Sequence, residues 1–486
     1  MTHISLNRRA LLSATGLALP TLTLPWSAVA QSQAELPPGT FSFVARDGQK
    51  TEAERGFFEV PEDRRLPGSR RIRLGYVRFA STSPNPGPPI VYLAGGPGGD
   101  GSGAATGPRF PIFMALRAVA DVIAFDQRGT GLSISLPDRR ATGGSLPPLT
   151  RDGMTTWYRD EMQKAWVDWT RMGVAMTGYN TEQSADDIGD LRRHLGADTI
   201  NLWGISYGTH LALSVLKRHP DAIGRVALAS LEGQDQTIKR PARIDAFLDR
   251  VDSLIEDDPI ARAAVPDLPA LMRRVHARME ADPVPLTVAS DAGSTTFQIG
   301  GFGVQLLTGG LVANPRTLSM VPGLYLALEA GMTDVLSQIL PDPAGLFGIR
   351  GMPEAMDLAS GISPERLSTI EAEARTAVLG DAFNFPMPHL LGSIPGADLG
   401  DGFREPIRID TPALLVAGSL DGRTPLEEQA EVAAQFQNRS QVRVENAGHN
   451  VFEAHPEIQT LLVRFFAGET PGDVSLSLPA PTFPVS

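Results

Sequence analysis

The stretch NLWGISYGTH, residues 201–210, decides how the chain is read. An apolar run, "TINLWGIS" at 199–206, ends on a serine with Gly204 and Gly208 two positions to either side. A serine on a sharp strand-to-helix turn needs small residues at those two places, because the strained backbone leaves no room for side chains. The G-x-S-x-G pattern alone is weak. Here a strand pattern ends on it and a helical pattern, from about Tyr207 to Arg218, begins on it. Ser206 is therefore the candidate nucleophile.

A serine hydroxyl attacks poorly unless a base takes its proton, and the base must be oriented by an acid. Asp421 in "LLVAGSLDGRTP" follows one apolar strand pattern, and His449 in "VRVENAGHN" follows the next. The two residues are expected at the C-terminal edge of the sheet, where Ser206 projects. Of the other histidines, His210 lies one helical turn beyond Ser206 and reads as packed or capped. His455 starts the following helix and His389 belongs to another segment. Glu232 in "LASLEG" is the rival acid, since it too follows a strand.

Around these residues the chain alternates. "PIVYLA" (89–94), "DVIAFD" (121–126) and "RVALAS" (225–230) are short apolar runs of the buried parallel-strand kind, and "TEQSADDIGDLRRHLG" (181–196) is a helix with one apolar face. Strand, helix, strand describes an α/β protein with a mostly parallel sheet flanked by helices. From 232 to 404 only helical patterns separated by Pro/Gly-rich joints are legible, and then the alternation resumes. The expected layout is an export signal at 1–30 and a core at 31–231. A helical cap insertion at 232–404 follows, then the rest of the core at 405–469 and a flexible tail at 470–486.

The run "LAGGPGGDG" (93–101) matches the G-x-G-x-x-G of dinucleotide sites through Gly96, Gly98 and Gly101. That motif requires a long regular helix to start there, and Gly103, Gly107, Pro108 and Pro111 would break one. Asp126, at the distance of a ribose ligand, has another home in the turn "DQRGTGLS". An oxyanion hole explains the glycines better. Its donors would be the backbone N–H of Tyr207, the residue after the nucleophile, and that of Gly96, with Gly95 the next choice.

The 486 residues are 42% hydrophobic and 20% charged, as a globular chain with a sizeable core is. A formal charge of −12 argues against nucleic acid and anionic membrane surfaces as partners. The absence of cysteine excludes thiol chemistry and cysteine-held metals. No metal or organic cofactor is expected. Residues 1–30 join Arg8-Arg9, an apolar middle and Ala28-Val29-Ala30, the layout of a twin-arginine export signal, so a periplasmic or extracellular location is expected. No later run reaches the length of a membrane span.

"GGPGG", "DQRGTGLS", "GISYGTH", "LDGRTP" and the "GH" at 448–449 together resemble the proline iminopeptidase and tripeptidyl aminopeptidase branch of the α/β-hydrolases. The elbow with Tyr after Ser is closer to the tripeptidyl aminopeptidase side. The resemblance implies an α/β-hydrolase fold with a helical cap. It also implies a Ser206, Asp421, His449 triad, oxyanion donors Gly96 and Tyr207, and release of residues from free peptide N-termini. Ala94, Leu132 and Asn450 depart from common residues of the branch, which leaves fine specificity open. An aminopeptidase must also hold a protonated amine, for which Glu232 is the one carboxylate the sequence can place. A carboxylesterase or lactonase with the same triad is the alternative, with a peptide or ester as the small-molecule substrate. A non-catalytic binding protein on this fold is the remote one.

Overall fold

The computed structural model describes residues 36–140, 146–290, 293–340 and 347–485. The expected export signal lies outside them. The strands in chain order are β1 (Gly39–Val44), β2 (Lys50–Pro61), β3 (Arg71–Phe79), β4 (Gly87–Leu93), β5 (Ala120–Asp126), β6 (Arg139–Arg140) and β7 (Ile200–Ile205). They continue as β8 (Ile223–Ala229), β9 (Val284–Ser290), β10 (Gly293–Ile299), β11 (Gly348–Ile349), β12 (Ala413–Gly418), β13 (Arg439–Glu445) and β14 (Val474–Ser477). Ten of them form one sheet in the order β1-β2-β3-β5-β4-β7-β8-β12-β13-β14. The first three pair antiparallel, and β3 joins β5 antiparallel. From β5 to β14 every pairing is parallel.

The continuous apolar runs are explained by burial on both faces. Along β7 and β8, Leu202, Val226 and Leu228 pack on one side with the helices Thr181–His194 and Tyr207–Arg218. Trp203, Ile205 and Ala227 pack on the other with the helices Phe110–Leu116 and Pro456–Phe466. On β13 only Ser440, Val442 and Val444 are buried, hence its alternating pattern. No helix among the described residues is long and apolar enough to cross a membrane.

Strands β8 and β12 are neighbours, with Ala413 opposite Val226, so the long segment between them leaves the sheet and re-enters beside its point of departure. It is mostly helical, including Pro241–Glu256, Leu268–Ala281, Gly301–Leu311 and Met352–Ser360. Two features differ from the expected all-helical cap within 232–404. The hairpin β9–β10 lies inside it and buries Leu286, Val288, Phe297 and Ile299 on its inner face. The cap also gathers earlier residues: β6 pairs with β11, and Leu149 N–H donates to the Gln298 carbonyl at 2.7 Å. The helix Arg151–Arg171 starts there, and its Arg159 donates to the His389 carbonyl.

The tail also needs correcting. The segment from Thr470, expected to be flexible, supplies β14 at the sheet edge, where Asp473 accepts from Gln441 N–H at 2.9 Å, and Phe483 is buried. Its prolines flank the strand rather than interrupt it, so no ladder hydrogen bond is lost.

Candidate active site

Ser206 sits between the end of β7 and the helix Tyr207–Arg218, with φ 56° and ψ −130°. Few residues other than glycine take a positive φ, and the position costs energy that the surrounding packing must offset. Gly208 makes the turn possible, since a Cβ there would lie 2.1 Å from the Leu93 carbonyl oxygen. Strand β4 and the helix that follows Ser206 can approach only because that atom is missing.

Asp421 is fully buried in the loop after β12, and both of its oxygens lie 3.0 Å from His449 Nδ1 in the loop after β13. It also accepts from the N–H groups of Arg423 and Thr424 and from the Thr424 hydroxyl. Burial raises its pKa, but the charge and hydrogen bond of His449 and the Thr424 bonds outweigh that and hold it at about 2. Asp421 is therefore a carboxylate that orients the His449 ring through Nδ1. The loop carrying His449 is tied to the elbow through β8: Ser206 N–H donates to the Ala229 carbonyl at 3.1 Å, and the next hydroxyl, Ser230, donates to the His449 carbonyl at 2.8 Å. The last link, Ser206 to the His449 ring, is not a hydrogen bond here. Such contacts are often long in free enzymes and tighten around substrate.

The glycine loop follows β4. Gly96 has φ 128°, where its missing side chain leaves the backbone free to turn inward. Tyr207 is the first residue of its helix, so its N–H has no acceptor within the helix. Gly96 and Ser206 line the same cleft. The loop does not start a long helix: Gly101–Thr106 ends after six residues and Phe110–Leu116 begins anew. Asp126 is fully buried and accepts from Ser102 N–H at 2.8 Å, from the Ser102 hydroxyl, and from Leu132 N–H at 2.7 Å. It pins the turn "DQRGTGLS" to the glycine loop, and no face of it is open to a ribose. Arg128 in the same turn is buried against Asp187 in a two-pronged ion pair.

The three histidines weighed against His449 all have other partners or roles. His210 is buried between the Gly233 carbonyl and the Ser360 hydroxyl, His455 caps its helix, and His389 pairs with Asp381. Of the departures noted in the sequence, the Ala94 carbonyl accepts from Gln127, and Asn450 accepts from Arg109 at 2.8 Å.

Glu232 lines the cleft beside Ser206, but its carboxylate is already paired with Lys239 Nζ at 2.6 Å. The free carboxylate is Asp357, which sequence reasoning could not position. It lies on the helix Met352–Ser360, which crosses the elbow: Met356 touches the Tyr207 hydroxyl and Ser360 touches His210. Asp357 lines the cleft, and among the described residues its carboxylate makes no hydrogen bond or ion pair. Burial, then the charges of Glu232 and Glu354, push its pKa well above the usual carboxylate range.

A family model described as the alpha/beta hydrolase fold matches residues 88–279, and one described as TAP-like protein matches residues 401–475. Tripeptidyl aminopeptidases of Streptomyces coelicolor and Streptomyces lividans are each 26% identical over 193 residues, which is 36% of this chain and 34% and 35% of theirs. The matched stretch thus spans about a third of the length of those relatives. Among solved structures, a thermophilic esterase from Thermogutta terrifontis is similar at 17% identity with a TM-score of 0.35, over 85% of this chain and 97% of that one.

Proposed function

We propose that this chain, which matches the alpha/beta hydrolase fold model over residues 88–279 and a TAP-like model over 401–475, is a serine aminopeptidase that works through an acyl-enzyme. His449 Nε2 takes the Ser206 proton as Oγ bonds to the substrate carbonyl carbon, and Asp421 keeps the ring's other proton on Nδ1 and its plane aligned. The N–H groups of Gly96 and Tyr207 take the developing oxyanion. The C–N bond then breaks as His449 returns the proton to the departing amine. Water repeats the sequence on the ester, with His449 again as base, and frees Ser206.

The observation that favours a peptide N-terminus is Asp357. A carboxylate with no hydrogen bond or ion pair of its own, lining the cleft with Ser206, matches an arriving ammonium. The esterase reading needs no such group. The export pattern of residues 1–30 supports action outside the cytoplasm, which fractionation of the native host would test.

A fluorophosphonate is expected to label the protein at Ser206 and to leave Ser206→Ala unlabelled. Peptide anilides with free N-termini are expected to turn over faster than their acetylated counterparts by about 10- to 100-fold, the value of one charge-assisted contact. Labelling that persists in Ser206→Ala would remove the nucleophile assignment. Equal rates on free and acetylated anilides would leave an esterase.

A further inference from the structure

The cleft at Ser206 contains a second unpartnered charge, of opposite sign to the first. Its charged lining consists of Glu232, Lys239, Asp357 and Arg423. Glu232 and Lys239 neutralise each other. Arg423 follows the acid loop, two residues past Asp421, and only its backbone N–H is engaged there. Among the described residues its guanidinium makes no hydrogen bond and no ion pair, not even with Asp357. The group is not loose, because its Cζ rests 5.2 Å from the centroid of the Phe383 ring, which also lines the cleft. On the same wall the Thr237 hydroxyl is buried without a partner, while Arg423 itself is exposed and so open to an arriving group.

A planar guanidinium held on an aromatic face, with its donors unused, is built for two-pronged recognition of a carboxylate. The cleft is small, about 130 Å³. That is roughly four water molecules at ~30 Å³ each, and Ser206, Asp357 and Arg423 all line it.

We propose that Arg423 is a carboxylate subsite, and that the preferred substrate carries a carboxylate together with its terminal ammonium, as a peptide beginning with an acidic residue does. The proposal rests on the aminopeptidase reading for the ammonium, while Arg423 and its carboxylate stand on the unpaired guanidinium alone. The same chemistry has a second source, the C-terminal carboxylate of a dipeptide whose leaving residue lies against Arg423.

The test compares kcat/KM for glutamyl and glutaminyl 4-nitroanilides, and for Ala-Ala and Ala-Ala-amide, in the wild type, Arg423→Gln and Arg423→Lys. The glutamyl anilide is expected to exceed the glutaminyl one by about 10- to 100-fold in the wild type, and the ratio to fall to within about threefold of unity in Arg423→Gln. Arg423→Lys, a point charge without the fork, should give an intermediate ratio. A preference for Ala-Ala over its amide that Arg423→Gln abolishes assigns the subsite to the leaving residue instead. Acetylating the glutamyl anilide separates the two readings: if its rate is unchanged the amine reading fails, whereas an Arg423-dependent ratio still supports the subsite. If no anilide is hydrolysed, protection of Ser206 from fluorophosphonate by glutamic acid α-amide over glutamine α-amide reads the same ratio without turnover. No carboxylate preference in any of these pairs, or one that survives Arg423→Gln, overturns the proposal.

Discussion

Replacing Ser206 with glycine is expected to stabilise the protein while abolishing its labelling, and the size of the gain follows from the backbone. At φ 56° and ψ −130° the residue occupies nearly the mirror image of a common extended conformation. A residue with a Cβ is held there at a cost of about 1–3 kcal/mol, whereas glycine takes mirror-image conformations as readily as ordinary ones. Against that gain, glycine adds about 0.5–1 kcal/mol of unfolded-chain entropy relative to alanine. The Ser206 hydroxyl forms no hydrogen bond among the described residues, so its removal forfeits little. The net expectation is that Ser206→Gly exceeds Ser206→Ala by about 1 kcal/mol, within ~0–2.5, inverting their usual order. Scanning calorimetry of the wild type and both variants under one set of conditions measures it, with fluorophosphonate labelling absent from both variants. A glycine variant that melts below the alanine variant would refute strain at the elbow, whatever the activity data say.

The tight approach behind the elbow predicts that Gly208→Ala, whose Cβ would stand 2.1 Å from the Leu93 oxygen, loses more than about 3 kcal/mol of stability. A wild-type melting temperature in that variant would contradict the packing. Asp126, pushed up to about 7 by burial and then by the charge of Asp100, binds its proton more tightly folded than unfolded. Its contribution to stability is therefore full below about pH 4 and lost as pH rises through about 7. Asp100→Asn keeps the helix cap but removes the repulsion, so it should stabilise by about 1 kcal/mol at pH 8 and by almost nothing at pH 5. Equal gains at the two pH values would sink that reading. Finally, an ammonium selects the ionised form of Asp357, whose pKa is raised, so KM for free-amine substrates should fall as pH rises through that pKa. KM for acetylated substrates should stay flat, and Asp357→Asn should flatten the first curve too; parallel curves for both substrates would separate Asp357 from the amine.

What was legible in the sequence is what the chain writes locally. The elbow joins a strand pattern, two glycines and a helix pattern within ten residues, and the acid and the base each follow their own apolar run. Each is a short-range statement, so residue types and spacing carry it. The hairpin β9–β10 was missed although its signal was present, because Leu286, Val288, Phe297 and Ile299 alternate as a half-buried pair of strands should. Helical patterns around it, and prolines at 283 and 285, made the alternation look like a joint. The strand at 474–477 was missed for the opposite reason. Four residues with half their side chains exposed carry almost no pattern, and their pairing is owed to the open edge of β13 more than to their own composition.

The charges of the cleft belong to a different kind of information. Glu232 and Lys239 are close in sequence, but Asp357 comes from a cap helix and Arg423 from the loop of the second core segment. No spacing connects three such segments, and the sequence contains 98 charged residues from which to choose. Position alone would still not have decided the matter, since Glu232 was placed at the correct edge and proved to be occupied. A carboxylate already bonded to Lys239 at 2.6 Å must give up that contact before it can take an ammonium, whereas Asp357 has no such contact to break. The chemistry of the site thus depends on which charges are left over after the fold has satisfied the rest. That remainder is a property of the packed cleft, and it appears only when every partner is known.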